Sequence, residues 1–186
     1  TKNVTGNVNL TMTGGITANL ATSRTGNISG NVEMNFSGTA KVTTSLYCGA
    51  ATSGDIGGTS TVTLGQGASF KYLYSGSNGS GGIKGMTTVI CDGYDGTFTG
   101  LKGKGGSSCT GTLGGSRLLL KSGTLQKLPT DFETVDIDIP ENKTLTLACD
   151  VSADTLAGAG TLEFAGVSSL TAKAVNGTVN CDVDGT

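Results

Sequence analysis

Apolar and polar residues alternate in short runs along the chain, with a period of two. Val8-Asn9-Leu10-Thr11-Met12, Val32-Glu33-Met34-Asn35-Phe36, Val62-Thr63-Leu64, Val135-Asp136-Ile137-Asp138-Ile139 and Leu145-Thr146-Leu147 each put every second side chain on one face. Gly, Asn, Asp and Pro punctuate these runs, as they do between strands. No long window repeats its apolar residues at the helical period, and Gly and β-branched residues are abundant, so the pattern predicts an all-β chain.

The runs also repeat over longer distances. Val4-Thr5-Gly6-Asn7-Val8-Asn9-Leu10 matches Ile28-Ser29-Gly30-Asn31-Val32-Glu33-Met34 position by position. Ile56-Gly57-Gly58 leads into Val62-Thr63-Leu64, Ile83-Lys84-Gly85 into Val89-Ile90-Cys91, and Leu113-Gly114-Gly115 into Leu118-Leu119-Leu120. A further apolar column, Leu20, Leu46, Leu73 and Leu101, advances by 26, 27 and 28 residues. Later, Leu145-Thr146-Leu147, Leu162-Glu163-Phe164 and Val179-Asn180-Cys181 read as units 17 residues apart. A unit this short cannot bury its own apolar side, but stacked units can, each strand pairing with its equivalent one coil away. The spacing predicts a parallel β-solenoid, expected as a right-handed β-helix because parallel crossovers are right-handed. Wide coils of 24–30 residues are expected over residues 1–111 and narrow coils of about 17 over 112–186, in one continuous solenoid. The expected inward columns are Val8/Val32/Val62/Val89 and Leu10/Met34/Leu64/Cys91. A β-sandwich, the competing all-β fold, gives no reason for such regular spacing.

Composition narrows the chemistry. The 186 residues contain 32 Gly, 2 Pro, no His and no Trp. Without His there is no Ser-His-Asp triad, no Cys-His dyad and no imidazole metal site. Gly lacks the three-residue period of collagen. Twelve basic against fourteen acidic residues make no case for nucleic acid, and the absence of a long apolar run predicts no membrane insertion. No secretory leader is read, and the chain opens at Thr1, so a mature or excised monomeric segment of a larger chain is expected.

Candidate chemistry is sparse. Cys48, Cys91, Cys109, Cys149 and Cys181 form no Cys-x-x-Cys pair; Cys91 and Cys181 fall in inward columns as small apolar side chains, and a Cys91–Cys109 bridge is one open pairing. Repeated Thr-x-Thr suggests an ice-binding face, but the aligned outward positions do not form a threonine ladder, and β-propensity accounts for them. Tyr47 and Tyr74 each follow a column leucine and should point outward on adjacent coils, where stacked rings could hold a sugar or merely shield the sheet. Asp92, Asp95, Lys102 and Lys104 offer the acid and base groups a polysaccharide-degrading enzyme would need, although they fall in a Gly-rich turn. Asp136 and Asp138 read as a solvated strand edge, and Asp182-x-Asp184-Gly185 as the opening of a calcium loop. No catalytic residue, cofactor or metal is assigned.

The run from Ile137 through Asp138-Ile139-Pro140-Glu141-Asn142-Lys143-Thr144 to Leu145-Thr146-Leu147 resembles the strand–turn–strand phrase of β-helix repeat regions in bacterial cell-surface proteins of the gut type, adhesins among them. Gly158-Ala159-Gly160-Thr161-Leu162-Glu163-Phe164 resembles the next coil. The resemblance implies an extracellular location, on the cell surface or attached to the wall. The expectation is a non-catalytic structural or adhesive module whose partner is a glycan or a host extracellular-matrix protein. The alternatives are a polysaccharide lyase or hydrolase on the same scaffold, or a phage or secreted fibre segment.

Overall fold

The computed structural model describes residues 2–182. Among them there is no helix, and fifteen strands follow one another. They are β1 (Val8–Met12), β2 (Ile16–Ser23), β3 (Val32–Phe36), β4 (Lys41–Ala50), β5 (Ser60–Leu64), β6 (Ser69–Tyr74), β7 (Thr87–Tyr94), β8 (Gly100–Lys102), β9 (Ser116–Leu125), β10 (Thr134–Ile139), β11 (Thr144–Leu147), β12 (Val151–Gly158), β13 (Thr161–Phe164), β14 (Leu170–Gly177) and β15 (Asn180–Asp182). An eleven-stranded sheet takes the order β1-β3-β5-β7-β9-β10-β12-β14, with β11, β13 and β15 attached, and a four-stranded sheet takes the order β2-β4-β6-β8. Every strand pair is parallel and joins equivalent strands of successive units. The architecture is all-β, built from parallel sheets, and consistent with a β-solenoid.

Inner faces of the two sheets share one core. Phe36 of β3 meets Phe70 of β6 edge to face, with ring centroids 5.3 Å apart. The column Leu20/Leu46/Leu73/Leu101 lies in register, and its last three members are buried. A third line of isolated bridges joins Val4, Ile28, Ile56, Ile83 and Leu113. Beside it, side-chain oxygens replace strand pairing. Asn3, Asn27 and Asp55 each accept from the backbone N–H of Asn27, Asp55 and Gly82 one coil further on, at 3.0, 2.9 and 2.8 Å. Asn7 and Asn31 do the same for Asn31 and Thr59. Turn amides that would otherwise lack a partner are thus satisfied along the stack.

The register departs from the expected columns by two residues. Val8 pairs with Val32, but Val32 pairs with Ser60, and Ser60 with Thr87 and then Ser116. The next column is Leu10/Met34/Val62/Val89/Leu118, and the third is Met12/Phe36/Leu64/Cys91/Leu120. A slip of two keeps every side chain on its own face, so the alternation survives while the rungs shift. The cause is a buried hydroxyl column where the pattern suggested valines: Ser60, Thr87 and Ser116 are fully enclosed, and Ser60 Oγ donates to the Cys48 carbonyl at 2.8 Å. The same slip occurs near the end, where Leu162 pairs with Cys181 and not with Val179, giving an interval of 19 and not 17.

Strand β9 is where the coil changes width. Its first half pairs with β10, from Arg117 opposite Thr134 to Leu120 opposite Ile137, and its second half pairs with β11, from Gly123 opposite Leu145. On its other side β9 pairs with β7 from Ser116 to Gly123. Between the two sheets the chain turns through Gly38 and Gly67. Gly67 has φ of 78° and packs so tightly under the Gly38 carbonyl that no Cβ would fit.

Candidate ligand face

The four-stranded sheet differs from its larger neighbour in charge. Strands β2, β4, β6 and β8 carry Lys41, Lys71 and Lys102 and no carboxylate. The strands of the larger sheet carry Glu33, Asp92, Asp136, Asp138, Asp154, Glu163 and Asp182 against Arg117, Lys121 and Lys173. The outer surface of the small sheet is therefore basic on a chain of net charge −2.

Two of its tyrosines lie in one register column, Ala21/Tyr47/Tyr74/Lys102. The Tyr47 and Tyr74 rings stack, with centroids 5.2 Å apart and planes 14° from parallel. Each ring therefore spends one face on the other, and the pair is not a flat platform for one sugar. At one end the Lys102 ammonium lies 5.9 Å from the Tyr74 centroid, within cation–π range. At the other end, Ala21 is too small to cover Tyr47. A cavity of about 350 Å³ opens there, lined by Asn19, Leu20, Ala21, Tyr47, Ala51, Thr52 and Asn78. It offers an aromatic wall edged by amides and a hydroxyl, the composition that a sugar ring with one apolar face matches.

Sequence reasoning missed Tyr72. Tyr72 lies two residues before Tyr74 on β6 and so shares its outer face, 6.1 Å away between centroids. Gly100 is its register neighbour on β8 and leaves room for the ring. Loss of solvent and the neighbouring Tyr47 and Tyr72 hydroxyls raise the Tyr74 phenol pKa. Towards the start of the same strands lies a second depression of about 500 Å³, lined by Lys41, Val42, Thr43, Ser69, Phe70, Lys71, Thr97, Phe98 and Thr99. Lys127 reaches its rim, donating to the Thr99 carbonyl at 2.6 Å.

The acid and base groups expected of a hydrolytic site are engaged separately. Asp92 accepts from Ser122 Oγ at 2.8 Å, Asp95 accepts from the Gly67 N–H at 2.9 Å, Lys102 caps Tyr74, and Lys104 pairs with Asp131 at 3.0 Å. Asp136 corrects the solvated-edge reading. It is buried, bound to Arg117 Nε at 2.7 Å and to Thr155 Oγ1 at 2.6 Å, and ties β9, β10 and β12 together, whereas Asp138 is exposed. All five thiols are free, so Cys91 and Cys109 are not bridged. Burial pushes the Cys91 thiol up to about 12 and raises Cys48 further. Cys181 keeps an inward register but is exposed on the last described rung. Asp184 and Gly185 of the calcium-loop reading lie outside the described residues. Among those described, no three His, Cys, Asp or Glu gather as a metal site, and no helix is long and apolar enough to cross a membrane.

No protein-family model matches this chain, nor does any curated protein or solved structure.

Proposed function

We propose that the chain is a right-handed parallel β-helix serving as a non-catalytic module of a bacterial cell surface, structural and adhesive, which contacts a glycan through the outer face of its four-stranded sheet. The observation that carries the reading is Tyr47, at the end of the tyrosine stack away from Lys102, lining a cavity of about 350 Å³ edged by Asn19, Thr52 and Asn78. Stacked parallel rungs support a stiff scaffold, since each coil is held by the next through backbone hydrogen bonds and shared apolar columns. Right-handedness rests on the general preference of parallel crossovers. An extracellular, wall-attached location and a polymeric partner follow from the surface-protein resemblance and suit such a scaffold. The separate engagement of Asp92, Asp95, Lys102 and Lys104 lends the polysaccharide-degrading alternative no support.

A glycan array probed with the whole chain tests the reading, with Tyr47→Ala and Tyr74→Ala alongside. Binding that Tyr47→Ala abolishes and Tyr74→Ala only weakens is expected. The first removes the aromatic wall and the second only its backing. Failure to bind any glycan or matrix protein would leave a spacer role alone.

A further inference from the structure

Of the three lysines on the four-stranded sheet, Lys102 caps Tyr74, whereas Lys41 and Lys71 make no ion pair among the described residues that accounts for their placement. Both are exposed and line one depression of about 500 Å³. The remaining lining supplies the hydroxyls of Thr43, Ser69, Thr97 and Thr99 and the ring of Phe98. Lys127 closes its rim. Lys71 also lies 6.0 Å from the Tyr72 centroid, so basic and aromatic groups alternate across the surface. The strands beneath carry no carboxylate that would neutralise them.

The two depressions share strand β4 and lie towards its opposite ends. On β4, Lys41 lines the first and Tyr47 the second, and six residues of extended chain separate them by roughly 20 Å. A ligand that fills both must be long, must present a flat apolar ring face at one end, and must carry negative charge at the other. Charge complementarity selects anionic polymers. The cavity beside Tyr47, walled by one ring and edged by the amides of Asn19 and Asn78, favours a hydroxyl-rich sugar over a nucleotide base.

We infer that this face binds an acidic polysaccharide, a chain bearing uronate carboxylates or sulfates, with its charged groups at Lys41 and Lys71 and a sugar ring against Tyr47. The inference rests on the glycan reading above and names its ligand class. Exposed ammonium groups attract such charges over a Debye length, so the interaction weakens as salt rises.

The test measures binding of the whole chain to immobilised polymers. Polygalacturonate is compared with its methyl-esterified form, heparin with its desulfated form, and dextran and a single-stranded oligonucleotide complete the set. Expected is tight binding to one or both acidic glycans, with the carboxylate and sulfate arms separating the two sources. Binding should fall about tenfold in Lys41→Gln/Lys71→Gln, the combined effect of two exposed charge contacts. The control Lys84→Gln/Lys143→Gln, which removes the same charge elsewhere, should bind as the parent does. Thermal melts of both variants should overlay the parent, since all four side chains are exposed. Equal binding to esterified, desulfated and neutral polymers, still lost in Tyr47→Ala, would overturn the acidic-ligand inference and leave the glycan reading standing. So would acidic-glycan binding untouched by the double lysine variant. Binding to the oligonucleotide as tight as to heparin would reassign the face to nucleic acid. Binding to no polymer at all would remove both readings.

Discussion

Truncating Leu118 to alanine probes the core where the coil changes width. Leu118 is 0% exposed, in register with Val89 on β7 and with Val135 on β10. The three strands are held at hydrogen-bonding distance, so the backbone cannot close over a void left between them. Leu→Ala substitutions in cores cost about 2.7–5 kcal/mol, and rise by about 24 cal/mol for each Å³ of cavity that persists. With rungs fixed above and below, a cost of about 3–5 kcal/mol is expected. Leu119 is the internal control. It lies one residue on, on the opposite face, half-buried and in register with Ile90 and Asp136. Its truncation should cost about 1 kcal/mol, the partial loss of apolar contact on an outer surface. Equilibrium urea unfolding followed by far-ultraviolet circular dichroism reads both. Because the stability of stacked repeats sums over neighbouring units, the affected transition is the one that includes β9. Leu119→Ala costing as much as Leu118→Ala would refute the assignment of faces.

Three further outcomes are expected. Gly123 has φ of 102° and packs against the Tyr94 backbone so closely that a Cβ would collide with it, so Gly123→Ala should destabilise by about 2 kcal/mol or more in the same unfolding assay. The Asp154 carboxyl is held below its ordinary range by the Lys173 ammonium, 2.6 Å away, and by the Val135 N–H. Its folded pKa lies below the unfolded one, so its stabilisation is present above the unfolded carboxylate pKa and fades as pH falls through the folded value. In Lys173→Met, a nuclear magnetic resonance titration of the Asp154 carboxyl should therefore move upward. Buried Cys48 and Cys91, with raised thiol pKa values, should resist a thiol reagent at mildly alkaline pH while exposed Cys181 reacts quickly, and all five should react in denaturant.

Much of the scaffold was legible because strand periodicity survives small errors of alignment. Leu20, Leu46, Leu73 and Leu101 could be stacked from spacing alone, as leucine recurs there at nearly constant intervals. The rungs above Val32 could not, because Ser60 is inward and Val62 looked the better match. A pattern of period two cannot tell a register from one displaced by two. The Tyr47–Tyr74 pair was legible because each ring follows a column leucine. That the rings consume one another's faces was not, nor was the opening over Ala21, since both depend on which small residue ends the stack. Tyr72 shares the face of Tyr74 by simple alternation but follows no column leucine, the mark that picked out Tyr47 and Tyr74, and the basic depression was hidden by lysines lying 30 positions apart in sequence. Asp136 looked solvated because nothing in its own strand announces Arg117 and Thr155 on the neighbouring ones.

The central claim is the register in which successive coils stack, and paired cysteines measure it directly. Glu33 faces Thr61, whereas Thr63 faces Asn35. Strands one rung apart put the first pair about 5 Å apart at Cα, within disulfide range, and place Glu33 about 8 Å from Thr63, beyond it. Under mild oxidation Glu33→Cys/Thr61→Cys should form an intramolecular bridge, read by intact mass and peptide mapping, while Glu33→Cys/Thr63→Cys should leave both thiols free. A bridge in the second variant and none in the first would contradict the stacking on which the core, the ligand face and the proposed function all depend.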